Sequence, residues 1–254
     1  MVKTMKLNKL ALITGSDILF EDQFFIHSPT IEELSLNNIT EDELFKTLKL
    51  LTICKEDLQN EQTLEDVNNF QLLLAVLFND KYPEDDRTMF FKILQLLLNH
   101  YTVSFSELGF ILNDINNAES YFFLNDENFN MFQNYIKEIF CFSKIFSSEQ
   151  SKEEYNVVGE RAKKIAEQLK KRHEKLAEKN KSKTNENACI LSNYMSILAI
   201  GIPCDLNSLT NKTVYQIFNL LDRYSLYYNY DLDVRCKLAG STEETEVENW
   251  MKIQ

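Results

Sequence analysis

Five glycines and three prolines in 254 residues leave this chain few places to reverse sharply. Tight hairpin turns draw on glycine for positive φ, and proline interrupts helices. A chain so poor in both suits long, unbroken helices better than a many-stranded sandwich or barrel. The glycines (Gly15, Gly109, Gly159, Gly201 and Gly240) also lie too far apart for a G-x-G-x-x-G or G-x-x-x-x-G-K loop. Nucleotide binding through either motif is thereby excluded.

Charge is the second constraint. Residues 161–183 hold ten of the 27 basic side chains against three acids, a local charge of +7. The remainder sets 17 basic residues against 36 acids, −19, and the whole chain carries −12. As a helix this segment would extend roughly 35 Å. Its apolar stripe (Val158, Ala162, Ile165, Ala166, Leu169, Leu176) holds two alanines, with 162, 169 and 176 one heptad apart. A solvated helix, a docking arm for a partner helix and a nucleic-acid surface are the three readings. Glu167, Glu174 and Glu178 interrupt the basic run, no aromatic is interleaved, and the acidic remainder repels phosphate. The order therefore favours protein over nucleic acid. The candidate partner-binding residues are Arg161, Lys163, Lys164, Lys170, Lys171, Arg172 and Lys175, joined by Trp250 in the acidic tail.

Periodicity places the elements. Residues 6–27 read as strand: Leu7, Leu10, Leu12 and Ile13, a reversal at Gly15, then Ile18, Phe20, Phe24 and Ile26. Ser28-Pro29 reads as an N-cap and first helical residue, and Thr40 with Glu43 as a capping box. A helix spans 66–79 and Pro83 breaks it. Asp85 or Asp86 then caps a central helix through Phe90, Ile93, Leu94 and Leu97. Residues 102–124 stay open between helix and short strands around an Asn-rich turn. Asn125 caps a helix through Phe129, Phe132, Ile136 and Ile139. An apolar helix covers 188–201. Asn207, Ser208 or Thr210 caps a last long helix, breaking near 228–231 before it resumes to Leu238. The expected fold is α+β and predominantly α-helical: a small N-terminal β element, a helical body, the long basic helix and a C-terminal helical hairpin. The boundaries fall at 1–145 for an N-terminal α+β domain, 146–187 for linker and basic helix, and 188–254 for the C-terminal helices and acidic tail.

Catalytic and metal chemistry find little support. His173-Glu174 opens like H-E-x-x-H, but Ala177 stands where the second imidazole is needed. His27 and His100 have apolar sequence neighbours and read as core or boundary histidines. Asp231 and Asp233, two apart on a helix, point to opposite sides. Tyr224, Tyr227, Tyr228 and Tyr230 read as a helix packed on the one before it rather than as a stacking platform. The five cysteines are odd in number and form no Cys-x-x-Cys pair, and no apolar signal core opens the chain. Together these predict a reduced, cytoplasmic protein with buried thiols. The sequons at Asn38 and Asn211 are then chance matches whose Thr40 and Thr213 fall at helix starts. No apolar run reaches the ~20 residues of a membrane span. No cofactor, metal or membrane is expected.

Several stretches carry a resemblance: FIHSPTIEE at 25–33, GERAKKIA at 159–166, YMSILAIG at 194–201, TVYQIF at 213–218, KLAG at 237–240 and VENWMK at 247–252. This pattern resembles proteins encoded in tail-gene clusters of long-tailed phages and prophages of Gram-positive bacteria, regarded as tail assembly chaperones or tail-associated proteins. The resemblance implies a non-enzymatic factor in the host cytoplasm that coats the tape-measure protein and recruits major tail protein around it. A structural virion protein of the tail, neck or baseplate is the second expectation. A regulatory or nucleic-acid-associated phage protein is the third.

Overall fold

A computed structural model describes residues 7–55, 67–106, 109–117, 119–146, 189–202, 204–238 and 251. The chain divides into two compact units, Met1–Phe142 with Leu191–Gln254, and Ser143–Ile190. The described residues lie almost entirely in the first. The fold is α+β and predominantly α-helical, as expected, with two small antiparallel sheets.

Local chemistry sets each element. Helix α1 (Lys9–Thr14) starts where the Asn8 side chain accepts from the amides of Leu10 and Ala11, and ends at Gly15 with φ +73°. The strand expected at the start of 6–27 is therefore helix. Its apolar residues do not alternate: Ala11 and Leu12 are buried, while Leu10 and Ile13 face solvent. Strands β1 (Ile18–Phe20) and β2 (Phe24–Ile26) follow as a hairpin pairing Ile18 with Ile26 and Phe20 with Phe24. Its tip uses no glycine, since Glu21 and Asp22 take φ of 49° and 58°. Such left-handed residues normally favour Gly or Asn.

Helix α2 (Ile31–Leu36) is capped by Thr30 through a capping box with Glu33, not by Ser28-Pro29. The reciprocal bonds satisfy the amides of Thr30 and Glu33, and the Ile31 amide donates to the Lys212 carbonyl, which leaves Ser28 no amide to cap. Ser28 is instead buried, and its hydroxyl has no hydrogen-bond partner among the described residues. Helix α3 (Glu41–Leu51) carries the expected Thr40–Glu43 box, and α4 (Asn69–Leu77) a third, from Asn68 to Gln71. Helix α5 (Glu84–Leu97) has Pro83 at its cap position. Asp85 and Asp86 lie inside the first turn, favoured there by the helix dipole, and do not cap it.

Residues 102–124 form sheet: β3 (Tyr101–Ser106), β4 (Gly109–Asp114) and β5 (Tyr121–Leu124), in that order. On the edge strand β3, the Gln95 amide donates to the Tyr101 carbonyl (2.5 Å) and accepts from the Val103 amide (3.1 Å). Helix α6 (Phe129–Ile139) has Asn128 at its cap position, displacing the expected Asn125. Asn125 forms the turn before it, its side chain accepting from the Glu127 amide (3.2 Å). Short α7 (Phe142–Phe146) follows. Helix α8 (Ile190–Gly201) leads to α9 (Leu206–Thr210), capped by Asp205.

Helix α10 (Val214–Leu238) runs unbroken through 228–231, where an Asp231–Arg235 ion pair (2.8 Å) spans one turn. Its entry is Thr213, whose hydroxyl accepts from the Gln216 amide while Gln216 Oε1 accepts from the Thr213 amide. Asn207, Ser208 and Thr210 belong to α9 instead. Thr213 and Thr40 do fall at helix starts.

Aromatic rings fill the core. Phe20, Phe24, Phe90, Phe110, Phe129, Phe132 and Tyr135 are fully buried, with Phe20 and Tyr135 edge to face at 5.1 Å. Gln133 crosses this core as a polar staple: Nε2 donates to the carbonyls of Leu51 (3.0 Å) and Ile53 (2.9 Å). Its Oε1 accepts from Asn69 (3.1 Å). A second cluster, Met195, Leu198, Leu209 and Ile217, joins α8, α9 and α10. The cysteines are not buried as expected: Cys189 and Cys236 are exposed, and Cys54, Cys141 and Cys204 half-buried. None lies at a core position, so packing does not enclose them.

Candidate functional site

Two places in the described structure hold chemistry beyond packing. The first is a histidine–carboxylate cluster assembled from four segments. Asp17 sits in the turn between α1 and β1, and His27 just after β2. Glu33 lies in the first turn of α2, and His100 at the junction of α5 and β3. His27 Nδ1 lies 2.7 Å from Asp17 Oδ1, and its Nε2 lies 3.2 Å from both Glu33 oxygens. His100 Nε2 lies 2.6 Å from Asp17 Oδ2. A carboxylate only accepts, so the His100 nitrogen donates.

The cluster shifts its own protons. Burial works against charge on His27, but the Asp17 bond and the Glu33 charge override it and raise the His27 pKa. The His27 bond lowers the Asp17 pKa against the cost of burial, with His100 adding to it. Burial pushes Glu33 up, but bonds from the Thr30 amide and hydroxyl dominate and leave it lowered, with His27 contributing. Each oxygen of Asp17 and each ring nitrogen of His27 has a partner within the cluster, so the His27 ring has no nitrogen left for a substrate. A shallow recess of about 260 Å³ lies alongside, lined by Asp17, Phe25, His100, Tyr101, Asp114 and Asn116. Among the described residues no set of histidine, cysteine and carboxylate side chains has the arrangement of a metal site.

His27 and His100 are boundary residues, as the sequence suggests, but their partners in space are acidic. Neither Asp17 nor Glu33 stands out by local motif as a histidine partner. The available signal is Thr30-x-x-Glu33, which fixes a carboxylate six residues beyond His27.

The second place is the C-terminal helix pair. The side chain of Tyr224 lies against Gly201, at the spot a Cβ there would occupy. Tyr224 thus packs on the preceding helix, as expected. Tyr227 and Tyr228 are about half exposed, the latter with its ring 6.2 Å from that of Tyr224. Over 225–238 no residue of α10 is buried, a length of roughly 21 Å. Leu232 and Leu238 on α10, and Ile197 and Ile200 on α8, are also exposed. Asp231 and Asp233 occupy this same stretch of α10 as helical residues two apart, and the ion pair to Arg235 is made by Asp231.

The basic residues Arg161, Lys163, Lys164, Lys170, Lys171, Arg172 and Lys175, and also His173 and Trp250, lie outside the described residues. Among the described residues no helix is long and apolar enough to cross a membrane. No family model matches the chain, and no curated protein or solved structure matches it.

Proposed function

We propose that this chain is a non-enzymatic tail assembly chaperone of a long-tailed phage or prophage. It binds the tape-measure protein and major tail protein during tail morphogenesis in the host cytoplasm. One observation carries the reading: the buried residues of α10 (Val214, Ile217 and Phe218) all lie in its first half, and Tyr227, Tyr228, Leu232 and Leu238 in the second half are about half exposed or more. An apolar helix surface of this kind suits a helical partner. The basic segment 161–183 adds charge for an acidic partner. Contact through a few apolar side chains and screened charge gives modest affinity, as a transient chaperone requires.

The test is co-purification with a tape-measure protein expressed from the same phage genome. Changing Lys163, Lys164, Lys170 and Lys171 to Glu is expected to weaken recovery by tenfold or more. Tyr228→Ala with Leu232→Ala should weaken it independently. Unchanged recovery in both variants refutes the assignment of these surfaces. Purified virions should lack the protein, and its stoichiometric presence there would establish the structural virion role instead.

A further inference from the structure

The histidine–carboxylate cluster has a property that partner binding leaves unused. His27 presents a ring nitrogen to a carboxylate on each side, Asp17 at 2.7 Å and Glu33 at 3.2 Å. Ionised carboxylates cannot donate, and a neutral imidazole carries only one N–H. Both contacts are hydrogen bonds only when His27 is imidazolium. A neutral ring would turn one lone pair toward a carboxylate. We propose that His27, Asp17, Glu33 and His100 form a proton-dependent clasp that fixes the root of α10.

The connection to α10 runs through both sides of the clasp. On the Glu33 side, Thr30 pairs with Thr213 in an isolated antiparallel bridge, and the Ile31 amide donates to the Lys212 carbonyl (3.0 Å). On the Asp17 side, Gln216 Nε2 donates to the Ile13 carbonyl at the end of α1 (2.8 Å). The end of α1, four residues before Asp17, and the helix start holding Glu33 are thus both bonded to residues 212–216. The imidazolium between the two acids draws these attachment points together.

The groups facing His27 set the sign. Asp17 comes from the α1–β1 turn and Glu33 from α2. His100, from the α5–β3 junction, competes for Asp17, and Asp114 on β4 lines the same recess. The His27 pKa is raised above 6.5. Its contribution is therefore complete below that value and lost as pH rises through the folded pKa. Asp17 and Glu33 are lowered from 3.8 and 4.5, so their contribution is complete above those values and lost as pH falls through the folded ones. The clasp is closed at mildly acidic pH and opens by loss of one proton on the alkaline side.

Imidazole NMR titration of the full chain tests the charge. His27 is expected to titrate above 6.5 with both nitrogens protonated below the transition. Chemical denaturation across roughly pH 5–9 tests the linkage. Between 6.5 and the folded His27 pKa, the unfolding constant should rise by up to about tenfold per pH unit. His27→Gln and Asp17→Asn should flatten that rise. Amide exchange at Ile31 and Thr213 should quicken over the same interval in the unmodified chain. A His27 pKa at or below 6.5 overturns the clasp, and so does an undiminished pH slope in His27→Gln. If the variants do not fold, the wild-type titration and exchange decide, and exchange at Ile31 and Thr213 that ignores the His27 transition overturns the link to α10.

Discussion

Replacing Gln133 by Met separates polar stapling from aromatic packing in the core. Gln133 is 3% exposed, and its amide makes three bonds, to Leu51, Ile53 and Asn69. The Leu51 carbonyl is one of those left unpaired at the C-terminal end of α3. Met matches glutamine in length and volume, so no cavity is opened. Three lost bonds remove about 3 kcal/mol, and leaving buried carbonyls without a donor costs about 1 more. The more apolar side chain returns about 1 kcal/mol. The net loss is about 3 kcal/mol, or roughly 6–12 °C in Tm for a chain of this size. Urea unfolding followed by circular dichroism measures it. Asn69→Ala alone should cost about 1 kcal/mol, and much less when combined with Gln133→Met, because the shared bond is already gone. A Gln133→Met loss below about 0.5 kcal/mol, or strict additivity with Asn69→Ala, would refute the staple.

Two further substitutions test the backbone and an orphan hydroxyl. Gly109 has φ +125°, and a Cβ there would meet the Leu124 carbonyl oxygen at 2.6 Å. Gly109→Ala should therefore cost at least about 2 kcal/mol, because strand backbone has to move; denaturation midpoints report it, and a silent change would refute the strain. Ser28→Ala removes a buried hydroxyl with no hydrogen-bond partner among the described residues. It is expected to leave stability unchanged or raise it by up to about 1 kcal/mol, and a clear loss in Tm would reveal a bond to that oxygen.

Capping chemistry makes much of the helical order legible. Thr40 with Glu43 and Thr213 before Val214 announce helix starts because their side chains act on amides three residues away. Short-range signals fail where two local solutions compete. Ser28-Pro29 looks like a start, yet the Thr30–Glu33 pair two residues on closes the capping box, and the Ile31 amide goes to the Lys212 carbonyl. Apolar residues at 7–13 suggest strand, but Asn8 and Gly15 close a short helix around them. The histidine cluster is legible only at its His27–Glu33 edge, since 83 residues separate Asp17 from His100 and only the fold brings them together. The length of α10 is easily underestimated because Tyr228–Asp231 looks polar and irregular, whereas the Asp231–Arg235 pair supports continuous helix.

Gln95 gives the small sheet an ending. Its side chain makes, at Tyr101 and Val103, the two backbone bonds that a neighbouring strand would otherwise make. A bare edge is a template on which another chain can start, and each chain so added exposes a fresh one. Here one amide occupies that position from within, as a terminating unit closes a growing polymer. At this part of the edge a copy of the protein has nothing to extend, so pairing there would first have to displace Gln95.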